Sequence, residues 1–203
     1  MMRFWDFITH RCPAAAKLGR SAAEDARMMA TPATHEPPAP WRRLPVYGVG
    51  GLFQVGYAAG CDLLLVLSSQ GRGVFDCLAG EKLARDYNEA HDFFDPIRLT
   101  ATGIGSLEGQ AVRMAGSFGG GLLLTTLDGW LLEAQARAWP THSVFLTAPG
   151  SREPVCVGDD GVCELRACGF SETGRSFIIA TSCELAMFSR QAEPGDAADG
   201  EGR

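Results

Sequence analysis

Short apolar runs separated by glycine-rich and polar turns dominate the middle of the chain. The pattern is clearest at 56–86, where apolar runs at 63–67 and 74–78 alternate with small-residue turns. Such short runs, bounded by Gly, Ser and Asp, are typical of an antiparallel β-meander. The same rhythm continues to residue 190 and predicts strands at 44–47, 52–57, 63–67, 73–78, 82–85, 97–101, 111–115, 122–126, 130–136, 143–146, 155–157, 162–168, 177–180 and 184–188.

Two Asp-Gly pairs are the strongest hairpin signals. Asp128–Gly129 lies between the apolar runs LLLTTL and WLLEAQA, and Asp160–Gly161 lies between two shorter runs. An Asp-Gly pair adopts the type I′ turn, whose twist matches that of the flanking strands. The first turn therefore indicates that the segment after it is a strand rather than a helix. The predicted fold class is all-β, built of antiparallel meanders.

Composition divides the chain into three parts. Residues 1–43 carry a net charge of +3 and include TPATHEPPAP, with four Pro in ten positions. The whole chain carries −6, which leaves −9 for residues 44–203. We predict a disordered basic leader and Pro-rich linker at 1–43, an all-β domain at 44–190 and a disordered acidic tail at 191–203. An acidic body repels phosphate backbones, so we expect no nucleic-acid partner.

Cysteine usage and hydropathy indicate the compartment. The seven Cys form no CxxC pair, and several lie inside apolar runs, as buried free thiols do. These features predict a reducing, cytoplasmic location. No run approaches the roughly 18 apolar residues of a membrane span, so no membrane partner is expected. The GIGSLEG segment lacks the spacing and the following helix of a dinucleotide-binding loop, and no cofactor is expected.

A degenerate repeat runs through the domain. Gly56, Gly116 and Gly169 each precede a short turn and an apolar run that ends in Ser or Thr, at intervals of 60 and 53 residues. Intervals of about 50 residues occur among the longer propeller-blade repeats.

Two segments resemble blades of known propellers. GFSETGRSFIIATSCELAMFSR, at 169–190, resembles the first three strands of a WD-like β-propeller blade. GVFDCLAGEKLARD, at 73–86, is similar to the outer half of such a blade or of a quinoprotein-like one. With the repeat, these segments cover about a third of the chain. Closed propellers have 4–8 four-stranded blades, whereas about fourteen strands make three or four. The resemblance therefore implies a small or incomplete β-propeller-like fold, with a two-sheet β-sandwich as the alternative.

The insertion DYNEAHDFFDP, at 86–96, is the least strand-like part of the domain. Aromatic side chains are enriched at protein interfaces, and carboxylates with imidazole bind metals. The predicted partner-binding residues are Tyr87, His91, Phe93 and Phe94. The alternative metal ligands are Asp86, His91, Asp92 and Asp95. A third interpretation is an edge loop whose aromatic rings pack under the sheet.

Three functions are consistent with these features. The first is a non-enzymatic protein-binding module that contacts another protein through loops or an exposed sheet edge. The second is a metal-dependent hydrolase that uses the 86–96 insertion. The third is a structural subunit whose propeller closes by self-association into a homo-oligomer. The chain has no GxSxG motif, and only His91 and His142 lie in the predicted domain, so an enzyme is the less favoured class.

Overall fold

The computed structural model describes residues 34–88, 92–137, 140–160 and 163–190. Within these residues the chain forms β-strands and a 3₁₀ turn at Gly105–Leu107, and no helix there is long and apolar enough to cross a membrane. The strands are β1 Trp41–Arg43, β2 Tyr47–Gly48, β3 Leu52–Tyr57, β4 Leu63–Ser68, β5 Gly71–Asp76, β6 Glu81–Asp86, β7 Phe94–Asp95, β8 Thr100–Thr102, β9 Ala111–Arg113, β10 Ala115–Gly116, β11 Leu131–Ala136, β12 His142–Thr147, β13 Val155–Asp160, β14 Leu165–Phe170, β15 Ser176–Thr181 and β16 Glu184–Arg190.

These strands form four sheets, which we number I to IV. Sheet I has the order β10-β3-β4-β5-β6, sheet II β7-β8-β9, and sheet III β11-β12-β13. Sheet IV has the order β1-β16-β15-β14, and β2 also pairs with β16. Every pairing is antiparallel. The prediction of an all-β fold made of antiparallel meanders is confirmed.

Sheet IV joins the beginning of the described chain to its end. Strand β1 pairs with β16, with Trp41 opposite Arg190, and Trp41 is 4% exposed. Upstream of β1, the His35 amide donates to the Cys156 carbonyl at 2.9 Å. The described fold therefore includes residues before Leu44, where the sequence placed the start of the domain. The rest of the predicted leader, at 1–33, and the predicted tail, at 191–203, lie outside the described residues.

Three apolar cores lie between the sheets. The III–IV core includes Leu132, Val144, Phe177, Ile179 and Phe188. The I–IV core includes Val55, Leu64, Phe75, Ile178 and Met187. The I–II core includes Leu65, Leu67, Val74, Ala101 and Val112. The sheets are thus stacked face to face in the order III–IV–I–II, as layers are in sandwiches and neighbouring blades are in propellers.

The two central sheets explain the longest apolar runs in the sequence. Along β15, alternate residues enter different cores, with Phe177 and Ile179 facing sheet III and Ile178 and Ala180 facing sheet I. All six residues of β15 are buried. A strand that is covered on both faces needs apolar residues at consecutive positions, whereas a strand with one open face needs them only at every second one. Strand β11, LLEAQA, is of the second kind and is largely exposed.

Three predicted strands differ from the structure. At 44–47, residues 44–46 lie outside any strand and only Tyr47 belongs to β2. At 97–101, residues 96–99 form a turn, because the Asp95 carboxylate accepts hydrogen bonds from the amides of Ile97 and Arg98. Such an Asx turn competes with strand pairing, and β8 begins only at Thr100. At 122–126, isolated bridges connect Leu123 to Phe170 and Thr125 to Leu131 in place of a regular strand.

The repeated glycines mark places where backbones approach closely. A Cβ on Gly56 would lie 2.1 Å from the Arg113 carbonyl oxygen, and one on Gly116 would lie 2.2 Å from the Phe53 carbonyl oxygen. A Cβ on Gly169 would lie 2.3 Å from Leu122 Cβ. The segment after β9 therefore lies close against β3, with which β10 pairs, and against β14, to which Leu123 forms a bridge. Only glycine leaves space for these close approaches.

A disulfide joins Cys163 to Cys183, with Cα atoms 6.3 Å apart. It ties the residues before β14 to the turn between β15 and β16. The interpretation of the cysteines as free thiols is therefore wrong for this pair. It holds for Cys77 and Cys168, which are free and buried, and burial raises the pKa of both thiols, that of Cys168 to about 11.

Reduction of this disulfide should destabilise the domain. The bond closes a loop with a sequence separation of 20 residues, and a loop of that size contributes about 3 kcal/mol by limiting the unfolded chain. We expect dithiothreitol to lower the urea midpoint by about 1–2 M. The double variant C163S/C183S should show the low midpoint with and without reductant. Equal midpoints for the oxidised and reduced wild type would contradict the prediction.

Candidate functional site

The predicted partner-binding residues divide between the surface and the core. Tyr87 is 77% exposed, and its ring centroid lies 4.9 Å from the Arg85 guanidinium carbon. Phe93 is 6% exposed, belongs to the I–II core, and lies under the Arg72 guanidinium at 4.3 Å. The expectation that Phe93 contacts a partner is therefore wrong, because its ring is covered by the protein itself. His91 lies outside the described residues.

Two acidic residues of the insertion, Asp86 and Asp95, accept hydrogen bonds that shape the loop. Asp86 accepts hydrogen bonds from the Asn88 amide at 3.1 Å and from Arg72 Nε at 2.9 Å. The Asn88 amide is the main reason that the pKa of Asp86 lies below its ordinary value, and Arg72 adds to the effect. Asp95 accepts from two turn amides, and these donors lower its pKa too.

The proposed metal set is not assembled by the described part of the insertion. The carboxylates of Asp86 and Asp95 serve the contacts above, and Asp92 is exposed at the surface. Among the residues that the structure describes, no group of three His, Cys, Asp or Glu side chains is placed to hold a metal ion. A role for His91 with these acids stays a prediction, since His91 is not described.

Phe94 belongs to a cluster of three rings that we call the aromatic surface: Phe53, Phe94 and Phe118. The ring centroids are 5.9 Å apart for Phe53 and Phe94, and 6.2 Å for Phe53 and Phe118. Phe94 and Phe118 are 5.5 Å apart, and all three pairs meet edge to face. Phe118 is 57% exposed, so the cluster forms an apolar surface that water reaches.

Three different elements bring these rings together. Phe53 lies on β3 at an irregularity in the pairing with β4, and Phe94 lies on β7. Phe118 lies at the tip of a tight turn, in which Gly116 and Gly119 exchange hydrogen bonds of 3.0 Å and both have positive φ. The Ser117 amide donates to the Phe53 carbonyl at 2.9 Å, which anchors the turn to β3. The turn therefore holds Phe118 outward over the other two rings.

Sequence reasoning found one member of this cluster and missed two. Phe94 was singled out within the insertion, whereas Phe53 is one apolar residue in an apolar strand. Phe118 carries a usable signal, because it is an isolated aromatic residue inside GSFGGG. A bulky apolar ring in a glycine turn has little local structure to pack against. The same turn holds the chain's own backbone close to β3.

A second cluster of polar residues surrounds Asp62, which is 4% exposed in the turn between β3 and β4. Four side chains from the turn region between β14 and β15 donate to its carboxylate: Ser171 and Ser176 at 2.7 Å, Thr173 at 2.8 Å and Arg175 at 3.1 Å. The Gly60 amide also donates a hydrogen bond to the Glu172 carboxylate at 2.7 Å. Sheets I and IV are thus joined at one end by a buried, charged hydrogen-bond network.

The Asp62 network is unsuited to catalysis by proton transfer. Burial acts to raise the pKa of Asp62, but the four donors together outweigh it and hold the pKa below its ordinary value. A carboxylate with a lowered pKa is a poor general base at neutral pH, so the bonded serine hydroxyls are not activated as nucleophiles. The neighbouring Tyr57 hydroxyl has a pKa raised by burial and stays neutral. The network's role is to hold two sheets together.

No known protein-family model and no curated protein matches the chain.

The two rings at the ends of the insertion should differ in their effect on stability. Phe93→Ala removes a buried ring from the I–II core and should lower the free energy of unfolding by about 3–5 kcal/mol. Tyr87→Ala, at an exposed position, should change it by about 0.5 kcal/mol or less. Urea unfolding followed by circular dichroism measures both. Similar losses of unfolding free energy in the two variants would contradict the assignment of Phe93 to the core and Tyr87 to the surface.

Acid should weaken the contact between sheets I and IV through Asp62. Because its pKa is lower in the folded state, its contribution to stability is complete above the unfolded pKa of about 3.9 and is lost as pH falls through the folded value. Asp62→Asn should be less stable than the wild type at pH 7 and should lose less stability between pH 5 and pH 2. Unfolding curves for the two proteins that decline in parallel would rule out this role.

Proposed function

We propose that the domain is a non-enzymatic protein-binding module that contacts its partner through the aromatic surface. The observation that carries this proposal is the exposure of Phe118 at 57% while it contacts two further rings. Aromatic residues are the commonest anchors of protein interfaces, because a ring buries a large area and loses few rotamers.

The surroundings of the cluster also suit a partner-binding surface. Edge-to-face contacts hold the rings in place before binding, so little further ordering is required. On the turn after β7, Ile97 is 92% exposed and adds a second apolar side chain to this region of the chain. Tyr87, exposed beside Arg85, is a further candidate at the beginning of the insertion.

The loops are favoured over a sheet edge as the contact. The longer of the two edge strands of sheet I is β6, and its first half exposes Glu81, Lys82 and Leu83. Charged side chains on an edge strand oppose the addition of another strand. The hydrolase alternative has less support, since the carboxylates of Asp86 and Asp95 are engaged in the contacts that shape the loop.

We propose a kinship with WD-like propellers because of the way the sheets are arranged. Four antiparallel sheets are stacked face to face, and the first described strand is added to the last sheet. Such an arrangement agrees with a small or incomplete propeller, in which consecutive blades pack on each other. The cytoplasmic location stays a prediction, and the Cys163–Cys183 bond speaks against it, because disulfides persist mainly in oxidising compartments.

Replacement of Phe118 should abolish partner binding without unfolding the domain. Immobilised full-length wild type, Phe118→Ser and Leu127→Ser are compared in affinity capture from an extract of the source organism. Leu127 is the matched control, since it is fully exposed on a different hairpin. A protein bound through Phe118 should be retained by the wild type and the Leu127 variant, and its affinity for the Phe118 variant should be roughly 30-fold lower.

Two further results decide between this proposal and its alternatives. The melting temperature of the Phe118 variant should stay within a few degrees of the wild type, since the ring is more than half exposed. Light scattering tests whether the partner is a second copy of the chain. Equal capture by all three proteins would refute the aromatic surface as the binding site.

A further inference from the structure

A cavity of about 220 Å³ lies at one end of the III–IV core. Aromatic rings such as Trp41, Phe170 and Phe177 pack together elsewhere in this core, whereas the cavity lies beside the end of β15 and the start of β16. A single water requires only about 10–15 Å³, and sites for drug-sized ligands begin at about 300 Å³. The volume therefore suits an organic molecule of a few carbon atoms.

Aliphatic side chains from two sheets form one part of the cavity wall. Sheet III contributes Val144 and Val157, and sheet IV contributes Leu165, Ile179 and Ala186. Cys163 also lines the cavity, and its disulfide to Cys183 fixes this wall covalently. A wall that is held before binding costs a ligand less ordering free energy.

Arg43 supplies a fixed positive charge to the cavity. Its guanidinium carbon lies 4.8 Å from the centre of the Phe188 ring, and Nη2 donates to the Val157 carbonyl oxygen at 2.5 Å. A guanidinium has five N–H donors, so this single bond leaves several unused. Within the described part of the chain, the ion pairs are made by other arginines, and Arg43 has no carboxylate partner.

The remaining polar side chains restrict which anion the cavity suits. Glu184 lies on β16, on the same face as Ala186 and Phe188, and its Cα is about 13 Å along the strand from that of Phe188. The Glu184 carboxylate therefore lies at the end of the cavity opposite to Arg43. It would repel a second anionic group on a ligand whose first anionic group binds Arg43. His142 is held by a 2.9 Å contact between Nδ1 and the Pro140 carbonyl oxygen, and Thr181 adds a hydroxyl.

We infer that this cavity binds a short-chain monocarboxylate. The carboxylate accepts hydrogen bonds from Arg43, and the alkyl chain packs against the valine, leucine and isoleucine walls. The guanidinium fork matches the two oxygens of a carboxylate, and charge-assisted bonds of this kind are about twice as strong as neutral ones. The site is built by sheets III and IV and does not include the aromatic surface.

Isothermal titration of the full chain with hexanoate tests the inference. Hexan-1-ol and hexylamine have the same chain length without the negative charge, and both should bind about tenfold more weakly or worse. Arg43→Gln should weaken hexanoate binding by a similar factor and leave the binding of hexan-1-ol unchanged. Arg42→Gln is the matched control, since Arg42 is exposed on the same strand and bonds to Ser189 and Leu78. It should bind hexanoate like the wild type.

Several outcomes would overturn the inference. They are an absence of saturable hexanoate binding to the wild type, equal affinity for hexanoate and hexan-1-ol, or an equal loss in the Arg42 and Arg43 variants. Circular dichroism checks that each variant is folded. If Arg43→Gln does not fold, the comparison of the three ligands on the wild type still decides whether the site selects a carboxylate.

Discussion

The burial of sheet IV on both faces is the constraint on which the described domain depends. Strand β1 completes this sheet and places Trp41 among the rings of the III–IV core, where Phe177 and Phe188 stack at 4.3 Å. Arg190 lies over Trp41 and forms a two-pronged ion pair with Asp128, at the tip of the hairpin before β11. Sheet IV therefore contains both the first and the last described strand, and it also contacts the hairpin that leads into sheet III. Loss of β1 would expose apolar side chains in that layer.

The segment between sheets II and III combines a structural and a surface role. It lies against β3 and β14 at positions where only glycine fits, and it presents Phe118 on a turn anchored to Phe53. Phe118, the most exposed ring of the aromatic surface, thus belongs to the segment that lies against both sheet I and sheet IV. A partner bound there would contact a rigid part of the domain rather than a free loop.

The charged groups are the reason that we propose recognition rather than catalysis. The buried carboxylate of Asp62 accepts from hydroxyl and guanidinium donors. In the insertion, Asp86 pairs with Arg72 and Asp95 accepts from turn amides. Carboxylates that are engaged in this way are weak bases and poor metal ligands. Arg43 is the contrasting case, because its guanidinium lines a cavity and forms no ion pair with a described carboxylate.

The amino-acid sequence by itself determined the local structure of this protein. The position of a turn at Asp128–Gly129, the runs that became β4 and β15 and the all-β class follow from turn chemistry and from the spacing of apolar residues, which depend on neighbours along the chain. The type I′ geometry predicted for this turn is wrong, because it requires positive φ at both central residues and only Gly129 has it. The tertiary structure decided the burial of Phe93, the pairing of β1 with β16, the exposure of Phe118 and the bond between Cys163 and Cys183. These features depend on which face of each strand another sheet covers. That choice is made by residues far apart in sequence, and a pattern of neighbouring residues does not contain it.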